Sequence, residues 1–356
     1  MGSLLFKRLI DALGSPEAVL AAAPRALAAV DGISQKVADD ITAHRILASA
    51  EQDLDRALAA GYGVVTINDA AYPPLLRQIP DPPAYLYVSG HLDAAAPCIA
   101  VVGSRHPTDY GLRTTHRLSR DLAMQGFTVV SGLARGIDTA AHEGALDGGG
   151  KTVAVLGSGL DRIYPAENRR LAGRIAASGA VVSEFPPEAG PDGHHFPIRN
   201  RIISGMCLGT MIAEATLRSG SLITARLAAD QGREVFAVPG SIHSHKSTGT
   251  HTLIKQGAKL VEHAGDIIEE LSPMLYAAGQ DDPSTPAPAA PVLTENEAGV
   301  CAILSPYPIH IDELGRRLSM DSARLAGLLL SLELKGQVRQ LPGKFFVLDE
   351  DSSKPT

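Results

Sequence analysis

From Ile99 onward the chain repeats one pattern: a short apolar run, a polar stretch with helical spacing, then another apolar run. The runs fall at Ile99–Val102, Thr128–Val130, Val153–Leu156, Ala180–Val182, Leu208–Ala213, Val235–Val238 and Lys259–Val261. Strands this uniformly apolar are buried on both faces, and strands separated by helices pair in parallel. The pattern therefore predicts an α/β fold: an extended Rossmann-like, doubly wound, mostly parallel sheet covered by helices on both sides. In such a sheet the loops that follow the strands gather along one edge, where ligands bind.

The rest of the chain divides around this core. Residues 1–60 are Ala/Leu-rich with helical spacing (Leu4, Leu5, Leu9, then Val19, Leu20, then Val37, Ile41). Within them, Val30–Ala38 has the form of a helix-hairpin-helix turn, with Ser34 where a second glycine is usual and acidic flanks at Asp31, Asp39 and Asp40. We expect a small helical module of the SAM or helix-hairpin-helix type, without DNA contact. Residues 61–98 read as a connector of two short strands and Pro-rich turns that opens the core domain, 61–278. The segment QDDPSTPAPAAP cannot build a core, which makes 279–291 a linker. Residues 292–349 then show helices at Leu293–Leu304, Ile311–Leu318 and Asp321–Leu334, followed by a hairpin over 337–347: the winged-helix plan. The third helix offers Arg324 and Lys335 against Asp321 and Glu333, so it is expected to pack or meet protein rather than read base sequence.

The strand-end loops share one chemical character. Gly103-Ser104-Arg105 follows the first run and Ser131-Gly132-Leu133-Ala134-Arg135-Gly136 the second. Arg199, Asn200 and Arg201 open the unit before Leu208, and Arg218-Ser219-Gly220-Ser221 leads into the next helix. Lys246 lies beyond the Pro239-Gly240 turn. Guanidinium groups and Ser/Gly turns with free backbone N–H groups are how proteins hold phosphate, and a row of them on one edge suits a phosphorylated or polyanionic ligand.

Other motifs fail on spacing. Gly148-Gly149-Gly150-Lys151-Thr152 has Ala145 where a P-loop needs glycine, and it precedes a strand instead of following one. Gly157-Ser158-Gly159 has Arg162 at the third glycine position of a dinucleotide fingerprint. Histidines 194, 195, 243, 245 and 251 have no Cys or HExxH partner, so no metal site is expected. Neither a nucleophile elbow nor a paired-carboxylate signature is present; we expect no enzyme activity and no cofactor. Net charge is −7, yet residues 99–220 hold 13 basic against 11 acidic groups, the only basic excess along the chain. Three dispersed cysteines and the absence of a signal or spanning segment predict a soluble, cytoplasmic protein that does not engage membranes.

At the same residues the chain resembles a known family. VGSR (102–105), SGLARGID (131–138), VLGSGLDRIYPAEN (155–168), SEFPP (183–187), FPIRNRII (196–203), SGSLITA (219–225), VFAVPGS (235–241) and GTHTLIKQGA (249–258) match, in order, the bacterial DNA-processing protein A family, also called Smf. Two departures are His251, where Asn is usual, and Cys207, where Ser is common. The resemblance implies sequence-independent binding of single-stranded DNA and loading of a RecA-type recombinase in natural transformation. It also implies a homodimer meeting near Thr252–Leu260. By the same resemblance, Arg105, Arg135, Arg199 and Arg201 would contact phosphate. Ser104, Gly132, Ser219, Gly220 and Ser221 would shape the pocket, and Lys246 would extend the basic track. The residues alone leave a second reading open, a nucleotide-processing enzyme of the phosphoribohydrolase type, with Glu184 and Glu214 as its candidate acids.

Overall fold

A computed structural model describes residues 2–43, 47–278, 294–304, 308–318, 320–335, 338–341 and 343–348. Nine strands form one sheet: β1 (Gly63–Thr66), β2 (Tyr85–Gly90), β3 (Cys98–Val102), β4 (Thr128–Ser131), β5 (Thr152–Val155), β6 (Ala180–Ser183), β7 (Gly209–Ile212), β8 (Glu234–Ala237) and β9 (Lys259–Leu260). Their order is β1-β2-β6-β5-β4-β3-β7-β8-β9. Strands β3 to β9 run parallel, as their apolar sequences require.

The alternation of side chains along β3 shows how both faces are filled. Ile99 and Val101 pack with Leu118 and Leu122 of the helix Asp109–Met124. Ala100 and Val102 pack on the other face with Ile202, Ile203 and Met206. The first two of these belong to the helix His195–Gly205.

The segment read as a connector is part of the sheet. β2 pairs antiparallel with β6, and β1 with β2, so the two strands extend the parallel core at one end. Leu86 and Val88 are buried in the same core as Tyr72, Leu76 and Ile79, and the Tyr72 hydroxyl donates to the Pro83 carbonyl at 2.7 Å. The Pro-rich turns are thus held by burial of the short segments between them.

The described residues fall into two compact units, 1–279 and 280–356. At the start of the first, helices Ser3–Leu13, Pro16–Ala21, Pro24–Ala28 and Gln35–Thr42 surround Leu9, Val19, Leu27, Ile33 and Ala38. Ser34 caps the fourth helix by accepting from the Val37 N–H at 3.3 Å. Arg8 donates to the Asp31 carbonyl and carboxylate, tying the hairpin turn to the first helix. The next helix, Leu47–Ala59, serves the sheet instead: Ala57 is buried with Tyr87 and Leu133.

The second unit has helices Glu295–Ile303, Ile311–Leu318 and Ser322–Leu334 and a sheet of β10 (Ile309–His310), β12 (Phe345–Leu348) and β11 (Val338–Leu341), in that order. This is the winged-helix plan; the linker expected over 279–291 lies outside the described residues. Its core includes Val300, Leu314, Leu325, Leu329 and Phe346. Among the described residues no helix is long and apolar enough to cross a membrane.

One polar cluster fixes the helices of this second unit. Thr294 and Glu297 form a reciprocal capping box. The Glu297 carboxylate also accepts from Lys335 Nζ at 2.7 and 2.8 Å and from the Ser331 hydroxyl at 2.7 Å. The Lys335 hydrogen bond, the Thr294 N–H and Ser331 hold its carboxyl at about 2, below the ordinary 4.5. A lowered carboxyl stabilises the fold fully above its unfolded value, and that contribution is lost as pH falls through the folded one. The unit is therefore expected to lose stability as pH falls from 4.5 toward 2. Glu297→Gln should flatten this dependence in calorimetric melts of the full chain; an unchanged profile would refute the assignment.

Candidate functional site

β3 and β7 are neighbours, yet the chain leaves them in opposite directions, through β4–β6 on one side and β8–β9 on the other. A crevice opens at the carboxyl ends of strands at such a switch point. Here it is a cleft of about 500 Å³, lined among others by Gly103, Ser104, Arg105, Asp138, Phe196, Arg199, Asn200, Ser219, Gly220 and Ser221.

Glu214 joins the two loops that frame it. Its carbonyl accepts from the Ser104 N–H at 2.8 Å. Its carboxylate, 4% exposed, accepts from the Thr108 N–H at 3.1 and 3.2 Å and from the Thr108 hydroxyl at 2.6 Å. The same hydroxyl caps the helix Asp109–Met124 at Gly111 N. Glu214 is thus a structural tie.

Arg199 forms the floor. It is 3% exposed and donates from one nitrogen to the carbonyls of Gly132 (2.7 Å) and Val155, at the ends of β4 and β5. Gly132 must lack a side chain, because a Cβ there would sit 2.2 Å from the guanidinium. Burial lowers the Arg199 pKa to about 10, against the pull of Asp138, so the group stays cationic at neutral pH. Asp138 caps the turn after β4: one oxygen accepts from the N–H groups of Gly132 (3.1 Å) and Ala134 (3.3 Å). Burial pushes its carboxyl up, opposed chiefly by Arg199.

Phe196 stands between the floor and the mouth. The Arg105 and Arg199 guanidiniums lie 5.6 and 5.9 Å from its ring centre, and the Tyr164 ring lies 5.7 Å away. Gly157 leaves room for this ring, since a Cβ there would come within 2.7 Å of it. The Gly157-Ser158-Gly159 turn is therefore filled by protein.

The remaining arginines differ in fate. Arg105 is exposed, and its guanidinium has no hydrogen-bond or carboxylate partner among the described residues. Arg135 is exposed and forms a two-point pair with Glu167 at 2.8 and 2.9 Å. Arg201, 5% exposed, pairs with Asp81 at 2.9 Å and Glu184 at 2.7 Å and does not line the cleft. Lys246 is half-buried and donates to the carbonyl of His106, which places it beside Arg105 on one rim. Opposite stands the N-terminus of the helix Ser221–Asp230, where the hydroxyls of Ser219 and Ser221 lie 2.7 Å apart. The sequence reading passed over Asp138 and the ring of Phe196. The only signal for Asp138 was an acid closing a Ser/Gly/Arg loop.

A family model for DNA recombination-mediator protein A matches residues 63–272, and one for the DprA winged helix domain matches 284–344. The chain belongs to the DNA recombination-mediator protein A family. Protein Smf of Synechocystis is 34% identical over 96% of this chain and 94% of its own length. DNA processing protein DprA of Streptococcus pneumoniae is 48% identical over 58% of this chain and 73% of its length. The X-ray structure of the Streptococcus pneumoniae protein has a TM-score of 0.68 at 38% identity, covering 75% of this chain and 93% of that one. A structure of DNA processing protein A from Helicobacter pylori, described for its single-stranded DNA binding mode, has a TM-score of 0.53 at 32% identity, covering 60% and 96%. The fold and winged-helix expectations hold for this member of the family.

Stability separates the arginines of this DNA-processing protein. Arg201→Ala strands two carboxylates around a buried position and should cost about 3 kcal/mol in denaturant unfolding. Arg105→Ala removes an exposed, unpaired group and should stay within about 0.5 kcal/mol of the parent. Equal losses in the two variants would contradict this division.

Proposed function

We propose that the switch-point cleft and its rim bind single-stranded DNA through its phosphates, without regard to base sequence, and that the protein loads a RecA-type recombinase onto that strand in natural transformation. Family membership supports the DNA-processing role, and the Helicobacter pylori relative described with a single-stranded DNA binding mode supports the polymer. The observation that carries the site is the unpaired Arg105 guanidinium facing the N-terminus of the helix Ser221–Asp230 across the cleft mouth. A cation and a set of backbone N–H groups on facing walls match a phosphodiester.

In this reading Gly103, Ser104, Asn200, Ser219, Gly220 and Ser221 shape the phosphate seat, and Lys246 continues it along the rim. Arg135 joins once it is released from Glu167. Arg199 and Gly132 hold the floor, and Arg201 acts through the fold. Self-association is assigned to the edge strand β9, where Leu260 is 41% exposed, with the adjoining Thr252–Leu260 segment and the helix Ala264–Ala278. The protein would act in the cytoplasm, where incoming strands meet the recombinase. The enzyme reading has less support: Glu214 is held by Thr108, and Glu184 by Arg201.

Phosphate binding predicts a salt-dependent affinity whose log–log slope is about 0.7 per phosphate contacted. Arg105→Ala should weaken binding to mixed-sequence single strands and reduce that slope by about 0.7, whereas Arg201→Ala should leave the slope unchanged. Fluorescence anisotropy across a salt series measures both. An unaltered slope in Arg105→Ala would place the strand elsewhere.

A further inference from the structure

Asp138 is a carboxylate in a cleft whose mouth is built for anions. It is 6% exposed and lines the cleft. Its Oδ2 is taken by the N–H groups of Gly132 and Ala134, while Oδ1 has no hydrogen-bond partner among the described residues. Phosphate cannot sit against this group, because two anions at such range repel strongly in a poorly solvated site. What enters past the mouth must be uncharged and must bring a hydrogen-bond donor, since an acceptor left dry and unpaired is costly. The walls around it, Val102, Ala134, Phe196, Ile203 and Ile223, are apolar and suit a flat ring. The space, about 500 Å³, is of the size that holds a small ligand.

We infer that the cleft takes one unstacked nucleobase, whose ring or exocyclic N–H donates to Asp138 Oδ1 while its phosphate stays at the mouth between Arg105 and the Ser219–Ser221 turn. The inference rests on the single-strand reading above and deepens it by assigning the inner half of the same cleft. Every nucleobase carries at least one N–H group on its pairing edge, so the contact selects no particular sequence. It does require that edge to be free. A base pair occupies it and stacking hides the ring, so duplex DNA cannot fill the cleft without extruding a base. Asp138 thereby becomes a determinant of strandedness, a property that the phosphate contacts alone cannot supply.

Thymine tests this cleanly, because N3–H is its sole donor. The probes are fluorescein-labelled oligomers of equal length: deoxythymidine, N3-methyl-deoxythymidine and an abasic backbone. The wild-type chain should bind the thymidine oligomer roughly tenfold more tightly than the methylated one, the scale of one hydrogen bond to a charged group. The abasic strand should bind no more tightly than the methylated one. In Asp138→Asn the amide oxygen can keep the Gly132 and Ala134 N–H groups, but the second position becomes a donor. That variant should lose the preference for thymidine over its methylated form while binding the abasic strand at least as tightly as wild type. Equal wild-type affinity for the methylated and unmethylated oligomers overturns the inference, and this comparison needs no variant. So does an Asp138→Asn variant that weakens on all the strands in proportion. If the wild-type chain binds none of them, the single-strand reading itself fails, and this inference with it.

Discussion

The loops leaving β3 and β7 are held to each other by one residue, Glu214, and the cleft exists because of that tie. Its carbonyl takes the Ser104 N–H, and its carboxylate takes both hydrogens that Thr108 can offer. A switch point in a parallel sheet opens a crevice by topology, but topology does not set the crevice width. A buried carboxylate with its hydrogen bonds satisfied does set it, because separating the loops would leave a charge dry and unpaired. The cap of the helix Asp109–Met124 draws on the same Thr108 hydroxyl, so one face of the sheet and the site share a single anchor.

Burial sorts the arginines. Arg199 is used as a strut between strand ends, Arg201 as a bridge between two carboxylates, and Arg135 as a surface pair. Arg105 keeps its donors. A guanidinium buried without enough partners is expensive, which explains why the deepest arginines are bonded within the protein. The group available to a ligand is the one that water can still reach. The carboxylates follow the same rule: Glu184 and Glu214 are committed to protein partners, and Asp138 retains one oxygen toward the cleft.

Much of the fold was legible in the sequence. The seven apolar runs after residue 98 became β3 to β9, since a strand buried on both faces has little choice of residue type. The winged-helix plan of the second unit followed from helical spacing. Residues 61–98 were harder, because two short strands among prolines carry little period; their place beside β6 depends on Tyr72, Leu76 and Ile79 meeting a core built from distant segments. The role of Phe196 was equally hidden. A lone aromatic in a basic stretch gives no sign that Gly157 will make room for its ring.

The sequence by itself determined the parallel sheet, the edge on which the Ser/Gly/Arg loops gather, and the family to which the chain belongs. Alternating apolar runs and the order of local motifs encode these, and both are properties of neighbouring residues. Only the tertiary structure decided which of those loops' charges remain available. Whether an arginine meets a carboxylate, a carbonyl or open solvent depends on segments far apart in the chain: 120 residues separate Arg201 from Asp81, and 67 separate Arg199 from Gly132. Local pattern fixes residue type and position. Partnership and burial, which decide whether a charge is spent on the fold or kept for a ligand, arise only when the chain closes on itself.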